Sequence, residues 1–269
     1  MVAKFREWLL ASYPAAVVRR FFALELLDRS FGLAAQAFVA LLPLVIVLVS
    51  VLIGSPEEVI ASNVSDRFGL DAPARTAMQL LFQAPATVKS ISWLAILMSF
   101  LSAFALSRRL SRVYASIVEQ PPLQRHQLWR GMVWILVQVS LFVAASELRA
   151  VRRNGGLLVA LLSIIVLLLV WFAADVASLR LLVPSVPRAV LIPSAIVCGI
   201  GRIGLAGWAA FYMPTALSKQ ATQYGPIGVT FAFFTFILAG VLVYVCAPLL
   251  VMTWLRWRDE RKAPDLAAQ

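Results

Sequence analysis

Apolar residues along this chain come in long uncharged blocks, and the length of those blocks decides the fold class. Residues 31–53 run for 23 positions without a charge. Further uncharged blocks cover 91–107, 132–146, 157–174 and 227–255, and 189–212 is interrupted only by Arg202. A hydrocarbon core about 30 Å thick is crossed by roughly 20 apolar residues at 1.5 Å rise each. Inside lipid every backbone N–H and C=O must be paired within its own segment, which open strands cannot do. The pattern therefore predicts an all-α, polytopic membrane protein with about six transmembrane helices. The predicted spans are 31–53, 91–107, 132–148, 157–176, 189–212 and 227–255.

The segments between the blocks are patterned too. In residues 1–30, Val2, Phe5 and Leu9 share one helical face, with Lys4 and Arg6 off it. Tyr13-Pro14 breaks that run, and Phe21, Phe22 and Leu26 resume an apolar stripe. This predicts amphipathic helices lying at the inner membrane surface. The outer loop 54–90 is predicted to be helical. Ser55-Pro56-Glu57-Glu58 is a capping-box start, and Ile60, Val64 and Phe68 follow at helical spacing. A second short helix starts at Asp71-Ala72-Pro73 and carries Ala74, Met78, Leu81 and Phe82. Such helices either form a lid over a cavity or simply cover the bundle. Residues 256–269 are a polar tail.

Composition fits the pattern. The chain is 61% apolar and 14% charged with a mean hydropathy of +0.87, where soluble domains carry about 25% charged residues. With spans filling most of 269 residues, one membrane domain (31–255) is expected and no separate soluble domain.

The net charge of +11 raises the question of a nucleic-acid partner, and the placement of the charges answers it. With the N-terminus in the cytoplasm, sixteen Lys and Arg fall in inner segments and seven in outer ones, with Arg202 between. The positive-inside rule then puts both termini in the cytoplasm. The basicity reflects topology and attraction to anionic headgroups, so membrane lipids are the expected partners and nucleic acid is not. Arg149, Arg152 and Arg153 sit awkwardly on the outer side, after the shortest block. Either the third helix continues through Glu147, or 132–156 is not a clean span.

Candidate chemistry is sparse. His126 is the single histidine, with no acid within four residues, and metal sites draw on clustered His, Cys, Asp or Glu. Cys198 and Cys246 fall within spans and read as small apolar packers. No metal, cofactor or catalytic residue is expected, and the chain does not read as an enzyme. The glycines at 199, 201, 204 and 207 mark a face where helices approach closely. Arg202 is the sharpest feature, because a guanidinium at mid-span costs a few kcal/mol even on lenient insertion scales and must face the bundle. At about 1.5 Å per residue it lies roughly 20 Å into its span. Gln138 matches that depth better than Asp175, which falls at the inner end of the fourth span. Either the packing satisfies Arg202, or its charge serves an anionic headgroup or solute. Tyr224-Gly225-Pro226 opens the last span, with proline at the first helical position. Arg202, Gln138, Tyr224 and Gly225 are the candidate substrate- or lipid-binding residues.

Several segments carry a resemblance. Leu27-Asp28-Arg29 with Ala40-Leu41-Leu42-Pro43-Leu44, the basic run from Leu106 to Tyr114, Pro184 with Pro187-Arg188, and Tyr224-Gly225 together resemble the YihY/BrkB family. The likeness covers about residues 20–255 through diffuse motifs. It implies a six-span protein of the bacterial cytoplasmic membrane, associated with transport or envelope maintenance. The family often ends its last span on a Gly-Ala-Glu-Leu-like run, where this chain has Cys246-Ala247-Pro248-Leu249, so no role of that glutamate carries over. An older label for the family, a tRNA-processing ribonuclease, is disfavoured here. Phosphodiester cleavage needs metal-binding carboxylates or a paired acid and base. The reading is transport or envelope maintenance involving an anionic lipid or an unknown solute, with a non-transporting scaffold as the other alternative.

Overall fold

The computed structural model describes residues 12–52, 72–76, 93–154 and 156–267. Among these the chain is all-helical and forms no strand. The expected helices over 1–11 and the capping box at Ser55 lie outside the described residues. Residues 72–76 are helical, as the second loop helix predicts.

Helix α1 is Tyr13–Ala23 and α2 is Leu26–Leu52. Pro14 starts α1, where its missing N–H is no loss, and Ser12 stands at the N-cap. Helix α3, Trp93–Val118, extends well beyond the expected 107. The extension is amphipathic: Ser107, Leu110, Ser111, Tyr114 and Ile117 are buried, while Arg108, Arg109 and Arg112 are exposed. That is the 3.6-residue period of a helix with one covered face. Helix α4, Trp129–Asn154, continues through Glu147 and the three arginines, which settles the awkward turn in favour of one long helix. It packs against α5, Leu157–Leu182. Helix α5 passes the expected end at 176 because Asp175, Ser178, Leu179 and Leu182 continue one buried face.

The last trace, Arg188–Ala267, is two helices meeting at Gly225, where φ is 60° and ψ is −140°. We number them α6 (188–224) and α7 (226–267). Only glycine adopts such a conformation at small cost. Three residues later Gly228 passes so close to Gln220 that a Cβ would run into the Gln220 carbonyl. The two glycines therefore do different work, one setting the break and the other allowing the close approach beyond it. Helix α7 continues through Pro248 without a non-helical dihedral. Of the four glycines expected to mediate close approach, Gly201 does so against Val243, whereas added Cβ atoms at 199, 204 and 207 would meet nothing within 4 Å.

The chain divides into two units. Unit 1 is Met1–Ser30, Ser107–Gly201 and Leu242–Gln269, and unit 2 is Phe31–Leu106 and Arg202–Val241. Within unit 2, Phe234 stacks on Phe31 and meets Phe38 edge-on, at centroid distances of 6.4 and 6.3 Å.

Within unit 1, α1 is tied down by polar bonds rather than by a buried face. The Tyr13 hydroxyl donates to the Leu250 carbonyl at 3.0 Å, and burial pushes that phenol up in pKa. Arg20 donates to the Ile117 carbonyl at 2.8 Å and to Glu119 at 2.9 Å, and Glu119 also binds Arg256. Burial and the charge of Arg256 lower the Arg20 pKa, opposed by Glu119. Glu119 has a φ of 57°. It ends α3 in a Schellman arrangement, with the Gln120 amide donating to the Ala115 carbonyl at 3.0 Å. Glycine normally holds that position, and the acid there costs about 1–2 kcal/mol.

Among the described residues, two helical stretches, α5 and Arg188–Arg261, are long and apolar enough to cross a membrane. Only 11% of the apolar stretch of α5 is buried. Leu157 is 80% exposed, and Leu158, Leu161, Leu162, Ile165 and Leu169 also face outward.

The glycine geometry predicts a sharp contrast. Gly228→Ala should lower the stability of the purified protein by about 1–3 kcal/mol through overpacking. Gly199→Ala should be neutral or stabilising by about 0.5–1 kcal/mol. Thermal unfolding of the two variants checks this, and equal tolerance at both positions contradicts the geometry.

Candidate functional site

The polar interior of unit 1 is built around α5. Asp175 and Ser178, three residues apart on one helical face, are 4% and 2% exposed. Helix α4 reaches Ser178 from two successive turns. Trp134 Nε1 donates to Ser178 Oγ at 3.0 Å, and Gln138 Nε2 donates to the same atom at 3.1 Å. Two N–H donors fill both lone pairs of that hydroxyl. A little further along, Ser111 of α3 donates to the Leu182 carbonyl at 2.7 Å, and the Leu123 amide donates back to Ser111 at 3.3 Å. Those bonds fix the end of α5 against α3.

Beside Asp175 and Ser178 lies a small cavity with a free volume of about 10 Å³. Its polar lining is Tyr114 of α3, Asp175 and Ser178 of α5, Ser194 of α6 and Tyr244 of α7. Leu179, Ala195, Cys198, Ala247 and Pro248 complete the wall. Ser194 is fully buried, and its Oγ has no hydrogen-bond partner among the described residues. Pro248 has no N–H to give the Tyr244 carbonyl four residues back, so α7 offers one helix bond fewer at this level. Four helices thus converge on one acid and several hydroxyls in an apolar surround. Such an arrangement suits a small polar species by its hydrogen-bonding chemistry.

The sequence-predicted residues are distributed differently. Gln138 belongs to this cluster through Ser178. Arg202 belongs to unit 2, where its Nε and Nη1 are buried. Tyr224 is exposed beside the Gly225 break. His126 stands exposed on a 3₁₀ turn, Arg125–Gln127. No group of three His, Cys, Asp or Glu stands together among the described residues. Sequence reasoning missed Ser178, Ser194 and the two tyrosines, and set Asp175 at the inner end of the 157–176 span. The structure instead puts Asp175 seven residues before the end of α5, roughly 10 Å at 1.5 Å per residue. The signal available was the continuation of a helical period through 175, 178, 179 and 182.

No protein-family model, curated protein or solved structure matches the chain.

The Ser178 hub yields a direct test. Ser178→Ala leaves the donors of Trp134 and Gln138 without their acceptor and should cost about 1–3 kcal/mol. Adding Trp134→Phe removes one of the stranded donors, so the double variant should lose less than the sum of the two single losses. Strict additivity in thermal unfolding contradicts the shared hydrogen bond.

Proposed function

We propose that this chain is a multi-pass membrane protein of six spans whose helical bundle binds a polar ligand in transport or envelope maintenance. The observation that carries this reading is the division of α5. Its first half turns leucine and isoleucine outward, and its second half buries an acid and a hydroxyl. A soluble core helix buries its apolar residues, and a polar interior behind a lipid-facing exterior is the inverse arrangement. Intramembrane ionisable groups are costly and mark substrate or ion pathways. The resemblance to the YihY/BrkB family supports the same reading, with both termini in the cytoplasm and the protein in a bacterial cytoplasmic membrane.

Arg202 supplies the ligand class. A guanidinium with buried nitrogens on α6 suits phosphate or carboxylate, which it meets bidentately. An anionic lipid headgroup or an anionic solute is the proposed ligand there.

Replacing Arg202 by Gln keeps a hydrogen-bonding side chain and removes the charge. Native mass spectrometry of protein purified from its membrane should show Arg202→Gln folded and depleted of the anionic lipid bound by the wild type. A folded variant with an unchanged lipid profile contradicts anion binding at Arg202.

A further inference from the structure

The cavity in unit 1 specifies its occupant by size and by hydrogen-bond polarity. Its free volume of about 10 Å³ has room for about one water molecule. Ser178 has spent both lone pairs on Trp134 and Gln138, so it presents an O–H and nothing that ligates a cation. Ser194, fully buried, keeps both its hydrogen and its lone pairs. Asp175 brings a carboxyl. A single water bridges all three. It accepts from Ser178, donates to Asp175 and exchanges one bond with Ser194, the usual count for a buried water.

We propose that Asp175, with one water held by Ser178 and Ser194, is a proton-binding site within the membrane domain, making the proton the coupling ion of the transport proposed above. The inference rests on that membrane reading and deepens it. Proton uptake forms an O–H bond on the Asp175 carboxylate and breaks one on a hydronium at the water position, leaving neutral water. No electron is transferred. The carboxylate accepts hydrogen bonds only, whereas the acid donates one. The water therefore has to reverse. With Asp175 ionised it donates to the carboxylate, and with Asp175 protonated it accepts from the acid and from Ser178 and donates to Ser194. Ser194 can accept from the water in both states, so its lone pairs hold the water while the Asp175 bond reverses. Among the residues lining the cavity, Asp175 is the carboxylic acid. Helix α3 presents Tyr114, α6 presents Cys198 and α7 presents Tyr244, all of which ordinarily titrate above pH 8. The α4 side chains that reach Ser178, Trp134 and Gln138, are neutral.

Infrared difference spectroscopy on the full chain in an ester-free detergent reads the C=O stretch of a protonated carboxyl. The wild type should show such a band, lose it as pH rises, and shift it in D2O. Asp175→Asn should lack the band while keeping the wild-type far-ultraviolet circular dichroism. If Asp175→Asn fails to fold, Asp175→Glu carries the same test, with the band retained at a shifted frequency. Exchanging NaCl for choline chloride at constant pH should leave the band unchanged. A band removed by Na⁺ at constant pH overturns the assignment in favour of a metal cation. A band unmoved by either substitution belongs to another carboxyl and overturns it as well. The readout needs neither a bilayer nor transport, so its failure leaves the membrane reading and the Arg202 test untouched.

Discussion

Helix α5 faces two environments, and unit 1 is organised by that demand. Its leucines and isoleucines over 157–169 face outward, where each side chain in water forfeits about 25 cal/mol per Å² of apolar surface. Two turns further on, Asp175 and Ser178 are covered. There an unsatisfied hydroxyl costs kcal/mol. The Ser178 hydroxyl resolves the second demand by collecting N–H donors from two turns of α4. That shared atom fixes the rotation of α4 against α5. It also leaves a donor, an orphan hydroxyl on α6 and a carboxyl around a space for one water.

At the edge of unit 1, fixation is electrostatic and comes with backbone strain. Glu119 occupies a left-handed position that glycine fills more cheaply. The side chain there binds Arg20 of α1 and Arg256 of α7. Exposed ion pairs contribute little individually. Here the Tyr13 hydroxyl and the Arg20 bond to the Ile117 carbonyl accompany them. Edge-on contacts of Tyr13 with Trp254 and Trp257, at 5.4 and 6.1 Å, add to the docking. An amphipathic helix with no buried residue of its own is held in place this way.

Block length and charge foretold helices, and composition foretold a chain rich in outward apolar surface. The glycine-proline step at 225–226 was legible because φ preference and a missing N–H are local properties of those residues. Helix ends were less so. Residues 107–118 carry three arginines and 176–182 follow Asp175 and carry Arg180, which breaks the uncharged blocks, yet each keeps an apolar face at helical spacing that packing rewards. The site was legible only in part. Gln138 stood out as a polar residue among apolar neighbours. Ser178 and Ser194 did not, because serine is common in membrane helices, and only the convergence of four helices makes them neighbours of Asp175. Asp175 was read at the inner end of a span ending at 176, and the helix itself runs on to Leu182 because its buried face continues.

The central claim is that the outward face of α5 meets lipid while its Asp175 face does not. Nitroxide labels on single cysteines at Leu158, Leu162, Ile165 and Leu169, in a background lacking Cys198 and Cys246, test it in reconstituted vesicles. Electron paramagnetic resonance should find these labels relaxed by oxygen and shielded from a water-soluble nickel chelate. A label at Leu179 should be shielded from both. Nickel relaxing Leu162 and Leu169 as strongly as a label in water would contradict the account.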